Sequence, residues 1–384
     1  RVLHYLYGLS NGVVFDIRDR ILSYLEKNLD AFSDDYCKDL LIFCDWFVEV
    51  LSSGEAEGLK SSIYTNYESP KQGGVYAINS ISGRLVSRLL SASEECCSIN
   101  DFLKIVEKII HIGGEARDHA IYTCCSRFGY LWARNSKWCE DNILPYFSIA
   151  SPSSPSAWFG LLDQKRPGWV EEIWSRLKDD FLKLPGVISE WSPKEDWDAP
   201  FEWLIYSGVR GENCGIEFSR SESKIFISNL DDKQRSRFIF RIRQSFHRES
   251  DKSSVLTFIR DCWPFDKTGQ QSKASEAWVQ LLMDIDEDAG RRDLYSIIKD
   301  ELKHVREDGF SLFEMYHRYN EHVPMADSNP EIALDILDRV IPINARGYIL
   351  TEVSNVLSEV AKKQPDLRKD GRYERLMAII SGAA

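Results

Sequence analysis

The sequence has no long apolar run and none of the glycine-rich loops that bind nucleotides. No stretch of its 384 residues approaches the roughly 18 apolar residues that a membrane-spanning helix needs, so we expect no membrane partner. Its glycine pairs at 73–74 and 113–114 do not join a strand to a helix, as a Walker or dinucleotide loop does. The sequence therefore predicts no nucleotide cofactor.

Metal-binding and nucleophilic motifs are also missing. The cysteines at 96–97 and 124–125 are adjacent pairs, and adjacent side chains on a helix point about 100° apart. His317 and His322 are five residues apart, whereas the two histidines of a zincin are four apart on one helical face, and the i, i+3 pair Glu314 and His317 lacks the partner motif of a di-iron site. No Gly-X-Ser-X-Gly elbow occurs. We expect no metal, no cofactor and no catalytic residue in this chain; an unrecognised enzyme would need a pocket where residues such as Glu314 and His317 converge.

Charge and cysteine content narrow the partner and the compartment. The chain has 60 acidic and 48 basic residues and a net charge of −12, which argues against nucleic acid as a partner. Its 9 cysteines are an odd set, and several lie in apolar helical patterns. This cysteine content is typical of a reducing cytoplasm rather than of a disulfide framework.

What the sequence does contain is helical periodicity. Residues 99–112 place Phe102, Leu103, Val106, Ile109 and Ile110 on one stripe, and residues 34–51 repeat the pattern. The strongest strand pattern is at 223–228, where we expect a small β-hairpin with residues 216–218. The sequence therefore predicts an all-α fold with a β-hairpin in a central insertion.

Composition divides the chain into three parts. Residues 148–230 are rich in Trp and Pro, and the run SPSSP at 151–155 cannot sustain a helix. We therefore predict an N-terminal helical domain at 1–147, a connecting region at 148–230 and C-terminal helical repeats at 231–384.

The helices of the C-terminal part are predicted to come in pairs. Their starts recur at roughly 36–40 residues, which is within the range of helical-hairpin repeats such as HEAT. We therefore predict a HEAT-like helical-hairpin solenoid. An antiparallel helix bundle is the alternative.

Two groups of residues are candidates for binding a partner. One helix carries Arg235, Arg237 and Arg241 among apolar residues, a pattern that fits an anionic partner or, alternatively, an amphipathic helix whose arginines pair with nearby acids. The other group consists of large aromatic anchors in the insertion, on the condition that they are exposed. These are Trp191, Trp197 and Trp203.

Four short segments carry a resemblance to a known class of protein. They are AINSISGR at 77–84, SAWFGLL at 156–162, CWPFD at 262–266 and PEIALDIL at 330–337. In this order they resemble the helical C-terminal region of large bacterial anti-phage defence proteins, particularly those with an N-terminal sirtuin-like, NAD-consuming domain. The resemblance implies a sensing, scaffolding or assembly role for this chain, with the effector chemistry upstream of it.

We therefore expect this chain to act by binding a partner and not by catalysis. The first hypothesis is a cytoplasmic sensor that binds a phage protein or its own effector domain, with a homo-oligomer left open. The alternative is a standalone helical-repeat scaffold unrelated to defence. Since the sequence begins with Arg1 rather than Met, we expect it to lie inside a longer chain, although processing would also explain this start.

Overall fold

Two compact all-α units make up the chain. The computed structural model describes residues 2–28, 34–53, 77–95, 99–163, 171–191, 198–209, 216–246, 252–265, 272–285, 288–305, 310–317 and 323–382. Within these ranges the regular structure is helical and no strand occurs, which confirms the all-α prediction. The units are Arg1–Ala199 and Pro200–Ala384, so the boundary falls inside the predicted connecting region. The three-part division stays a prediction.

Ten α-helices are described in the first unit. They are α1 (Val2–Tyr7), α2 (Asn11–Asn28), α3 (Asp34–Ser52), α4 (Ile81–Glu95), α5 (Ile99–Ile112), α6 (Gly114–Ser126), α7 (Phe128–Asn142), α8 (Ser154–Leu162), α9 (Glu171–Phe181) and α10 (Leu184–Trp191). A 3₁₀ turn, Leu144–Phe147, follows α7.

Helices two apart in the sequence pack side by side in this unit. Helices α2, α4, α6 and α8 contact one another in turn, and α3, α5 and α7 do the same. Consecutive helices such as α4 and α5, or α5 and α6, also pack together. The unit is therefore built of two layers of alternate helices, an arrangement that stacked helical pairs produce.

The apolar stripe predicted on α5 is buried in this core. Phe102, Leu103, Val106, Ile109 and Ile110 all lie inside, and each such side chain contributes about 1.5–3 kcal/mol by leaving water. The next helix, α6, is buried over most of its length. Their burial on neighbouring helices follows from the two-layer packing.

A glycine allows the closest approach between two helices of one layer. A Cβ atom on Gly160 of α8 would lie 2.4 Å from the carbonyl oxygen of Tyr122 and 2.9 Å from the Cβ of Cys125, both on α6. Two residues before it, Trp158 is fully buried and its indole Nε1 donates to the carbonyl of Phe147 at 2.9 Å. The segment 156–162 thus contributes to the core.

The second unit continues the series of helices. They are α11 (Ala199–Gly208), α12 (Arg220–Ser228), α13 (Asp232–Phe246), α14 (Lys252–Cys262), α15 (Ser272–Asp284), α16 (Asp288–Ile298), α17 (Phe313–Tyr316), α18 (Met325–Ser328), α19 (Pro330–Val340), α20 (Tyr348–Lys363) and α21 (Gly371–Ser381). Alternate packing recurs here, since α12, α14 and α16 contact in turn, as do α13 with α15 and α19 with α21.

The predicted β-hairpin is wrong. Residues 223–228 lie in α12, which begins with a capping box: Glu222 N donates to Ser219 Oγ at 3.2 Å, and Ser219 N donates to Glu222 Oε2 at 2.7 Å. This reciprocal cap satisfies backbone donors that the first helical turn leaves open. The cap, with burial of Phe226 and Ile227, overrides the β propensity of the sequence.

Polar side chains join alternate helices at a recurring separation in the sequence. In the first unit these contacts span 35 residues (Asn135 to Asn100), 36 (Arg176 to Glu140) and 40 (Trp132 to Glu172). In the second they span 41 (Arg243 to Asp284) and 37 (Arg372 to Asp335 and Arg375 to Asp338). Contacts nearer the N-terminus are longer, at 58 residues for Arg84 to Glu26 and 63 for Lys108 to Asp45. From α5 onward, then, one helical pair adds about the same length of chain each time.

Candidate interaction surface

The three candidate arginines of α13 do not share one environment. Arg235 is 6% exposed, and its Nη2 donates to the carbonyl of Ser228 at 3.3 Å. Burial lowers the pKa of Arg235, and the nearby carboxylate of Glu301 opposes that shift. The prediction that Arg235 contacts a partner is therefore corrected: this side chain faces the core because it lies on the same side of α13 as Phe238, Ile239 and Ile242.

Arg241 and Arg237 lie nearer the surface. Arg241 Nη1 donates to Gln244 Oε1 at 2.9 Å and lies 3.7 Å from Glu202 Oε1 on α11. Arg237 is half-buried. Another arginine of the helix, Arg243, donates through Nε and Nη2 to the two carboxylate oxygens of Asp284 and so ties α13 to α15. The pairing of arginines with surrounding acids, which the sequence offered as the alternative, accounts for Arg241 and Arg243.

One face of α13 combines cations with an exposed aromatic ring. Its positions are 233, 237, 240, 241 and 244, which a helical period places within one arc of the surface. Phe240 lies at one edge of this arc and is 48% exposed. Lys233 and Gln244 are exposed as well. We call Lys233, Arg237, Phe240, Arg241 and Gln244 the α13 face.

Acidic residues at the start of α13 are engaged in capping. Asp231 accepts from Gln234 N at 2.8 Å. The Asp232 carboxylate accepts from the backbone amides of Lys273 and Ala274, both at 3.1 Å, and so caps the N-terminus of α15. Both carboxylates thus serve helix ends, as the helix dipole favours.

Of the candidate tryptophans that the structure describes, Trp191 and Trp203, neither meets the condition of exposure. Trp203 is 2% exposed, so the prediction that it anchors a partner is corrected; it is buried in the second unit, as are its apolar neighbours on α11. Trp191 is half-buried, and its ring centroid lies 6.4 Å from that of Phe159. Trp197 lies outside the described residues.

Sequence reasoning missed an aromatic cluster on the surface of the second unit. The fully buried carboxylate of Glu352 accepts from Ser311 Oγ at 3.0 Å and from Leu312 N at 2.9 Å. The next residue, Phe313, is 42% exposed, and its ring lies 4.3 Å from the ring of His317. Tyr348 is 69% exposed, and the Glu352 carboxylate raises the pKa of its hydroxyl. Glu352 thus links the segment that carries Phe313 to the helix that carries Tyr348, over a separation that no sequence motif indicates.

Among the described residues, one surface groove lies in each unit. One, of about 720 Å³, lies between α3 and α5 and is lined by Val48, Glu49, Lys104, Lys108 and His111 among others. Lys108 Nζ bridges it by donating to Asp45 at 2.6 Å and Glu49 at 3.1 Å. The second, of about 450 Å³, lies beside Tyr316 and Lys363. Each groove is lined by cations and anions together.

The free thiols recorded among the described residues are buried. Cys44, Cys124, Cys125, Cys139 and Cys262 are free thiols in the core. Burial raises the pKa of Cys44 and of Cys139 to about 12, so both stay protonated at neutral pH. Among described residues no group of three or more His, Cys, Asp or Glu side chains could hold a metal ion.

Comparisons with known proteins add no relative. No protein-family model, curated protein or solved structure matches this chain. In the part of the chain that the structure describes, no helix is both long enough and apolar enough to cross a membrane.

Proposed function

We propose that this chain acts by binding another protein, as a HEAT-like helical-repeat region. The observation that carries the proposal is the packing of alternate helices in two layers, joined from α5 onward by polar contacts that span about one helical pair. Stacked pairs of this kind present extended surfaces to partners. The separations of 35 to 41 residues support the repeat length that the sequence predicts.

The specific role proposed is that of a cytoplasmic sensor or scaffold in bacterial anti-phage defence. Its support is the resemblance of four sequence segments to the C-terminal region of such proteins. The partner is then a phage protein or an effector domain of the same protein, and a homo-oligomer remains part of the hypothesis. The buried free thiols are compatible with a reducing compartment.

Plaque assays with the natural gene test this role. We expect the intact gene, in a sensitive host, to lower plaque counts of at least one phage about tenfold or more, and infected cells to lose NAD. The same gene without the region encoding residues 1–384 should give neither effect while its product is still made.

Equal plaque counts across a broad panel of phages would contradict the defence role. A standalone scaffold would then be the better hypothesis, with a host protein as its partner. Substitution of Trp203 is unsuitable for this assay, because replacing a buried Trp by Ala costs about 3–5 kcal/mol and would confuse unfolding with loss of binding.

A further inference from the structure

The α13 face has the composition of a protein-binding hot spot. Arg and aromatic residues dominate such sites, where a ring anchors the partner and charged groups surround it. Here Phe240 is 48% exposed and lies one turn after Arg237 and one turn before Gln244, with Lys233 one turn before Arg237. Other arginines of the same helix, Arg235 and Arg243, turn towards the core and α15 instead.

Charge on this face is opposite in sign to that of the chain as a whole. Three of its five side chains are cationic, in a protein whose net charge is −12. Arg241 lies 3.7 Å from Glu202, and 40% of the Glu202 side chain is exposed. A surface pair of this kind is worth only about 0–1 kcal/mol, so an incoming carboxylate can replace Glu202 at little cost.

We propose that the α13 face binds an acidic segment of a partner protein, with an apolar side chain of that segment packed on Phe240. The proposal rests on the binding role proposed above and names the surface and its partner chemistry. Carboxylates of the segment pair with Lys233, Arg237 and Arg241, and the apolar side chain removes the Phe240 ring from water. Nucleic acid fits less well, because a polyanion would approach a strongly acidic chain and find only three cations on this face.

The proposal is tested by selecting, from a displayed library of random 15-residue peptides, those that bind the full chain. Selected peptides are expected to combine Asp or Glu with a neighbouring apolar residue. Their Kd should rise at least about tenfold, or about 1.4 kcal/mol, for Lys233→Glu/Phe240→Ala, and should also rise with salt.

The matched control is Lys362→Glu/Phe313→Ala, which makes the same two changes at exposed positions elsewhere in the second unit. It should leave Kd within about twofold. Arg237→Glu/Arg241→Glu serves as a second test variant, and the thermal midpoint of each variant reports whether it folds.

Three results would overturn the proposal. Peptides that bind the Lys233→Glu/Phe240→Ala variant as tightly as the unaltered chain place the binding elsewhere, and leave the general binding role intact. If a 20-nucleotide single strand binds the unaltered chain tightly and does not bind the same variant, the face belongs to nucleic acid. If sedimentation shows that the unaltered chain self-associates and that this variant does not, the face binds a second copy of the chain.

Discussion

His119 is a buried residue whose protonation state affects the stability of the fold. It lies in α6 and is 2% exposed, and burial lowers the pKa of its imidazole to about 4. The neutral form is therefore the one that the folded chain holds. Its unfolded-state pKa is about 6.5, so the unfolded chain binds more protons between pH 6.5 and 4.

Stability should consequently fall as the pH falls through that window. The contribution of His119 is complete above about pH 6.5, and about 3 kcal/mol of it is lost by pH 4. His119→Gln, which does not titrate there, should remove this part of the pH dependence. Chemical denaturation at pH 7 and pH 4.5 measures the free energy of unfolding of both chains.

The control for this prediction is His111→Gln, since His111 is exposed on α5. The comparison between variants is needed because burial also raises the pKa of the neighbouring Asp118 carboxyl and of Glu301, which act in the opposite direction. If His119→Gln and the unaltered chain lose the same free energy of unfolding on acidification, the buried imidazole is not responsible.

The arginines show what residue types alone can and cannot predict. The sequence identifies α13 as an amphipathic basic helix, yet Arg235 was grouped with Arg237 and Arg241 because all three are cations. A helical period puts Arg235 on the same side as Phe238, Ile239 and Ile242, which are buried. Phe240, by contrast, is one of the apolar residues of this helix and is exposed. Angular position, more than composition, decides which side chains reach the surface.

At the scale of the element, the close pair α6 and α8 depends on Gly160. Its missing side chain lets the carbonyl of Tyr122 approach, whereas Gly186 in α10 has open space where a Cβ would lie. The two glycines therefore provide a matched test of helix contact against helix propensity.

Gly160→Ala should destabilise the first unit by about 1–3 kcal/mol, because α6 and α8 must move apart. Gly186→Ala should stabilise it by about 0.4–1 kcal/mol, since alanine restricts the unfolded chain and meets no neighbour. The midpoints of thermal unfolding of both variants, compared with that of the unaltered chain, measure these changes in stability. A neutral Gly160→Ala would mean that the two helices adjust freely to the added methyl group.

Elements differ in how well the sequence predicts them. The stripe of α5 is strong enough that its buried positions are those expected. The segment 223–228 contains the run Ile225-Phe226-Ile227, whose residue types favour a strand, but the Ser219–Glu222 cap starts a helix there. The aromatic cluster around Glu352 depends on contacts 40 and 41 residues apart, which local patterns do not reveal.

At the scale of each unit, contacts are mainly between helices that are neighbours or next neighbours in the sequence. In the second unit α21 contacts α19 and α20, and Arg372 and Arg375 of α21 pair with Asp335 and Asp338 of α19. In such an array a local defect is expected to weaken its own neighbourhood first, because stability is approximately a sum over adjacent repeats. A bundle around one shared core would instead lose stability as a whole.

Leu376→Ala distinguishes these two cases within the second unit. Leu376 is fully buried on α21, so the truncation should cost about 2–5 kcal/mol locally. Hydrogen exchange followed by mass spectrometry should show the largest loss of protection in α19 to α21, a smaller one in α16, and little change in α11 to α13. Met377→Ala, one residue further on and 41% exposed, should leave protection unchanged. A uniform loss from α11 to α21 would favour the bundle, and with it a cooperative core in place of stacked repeats.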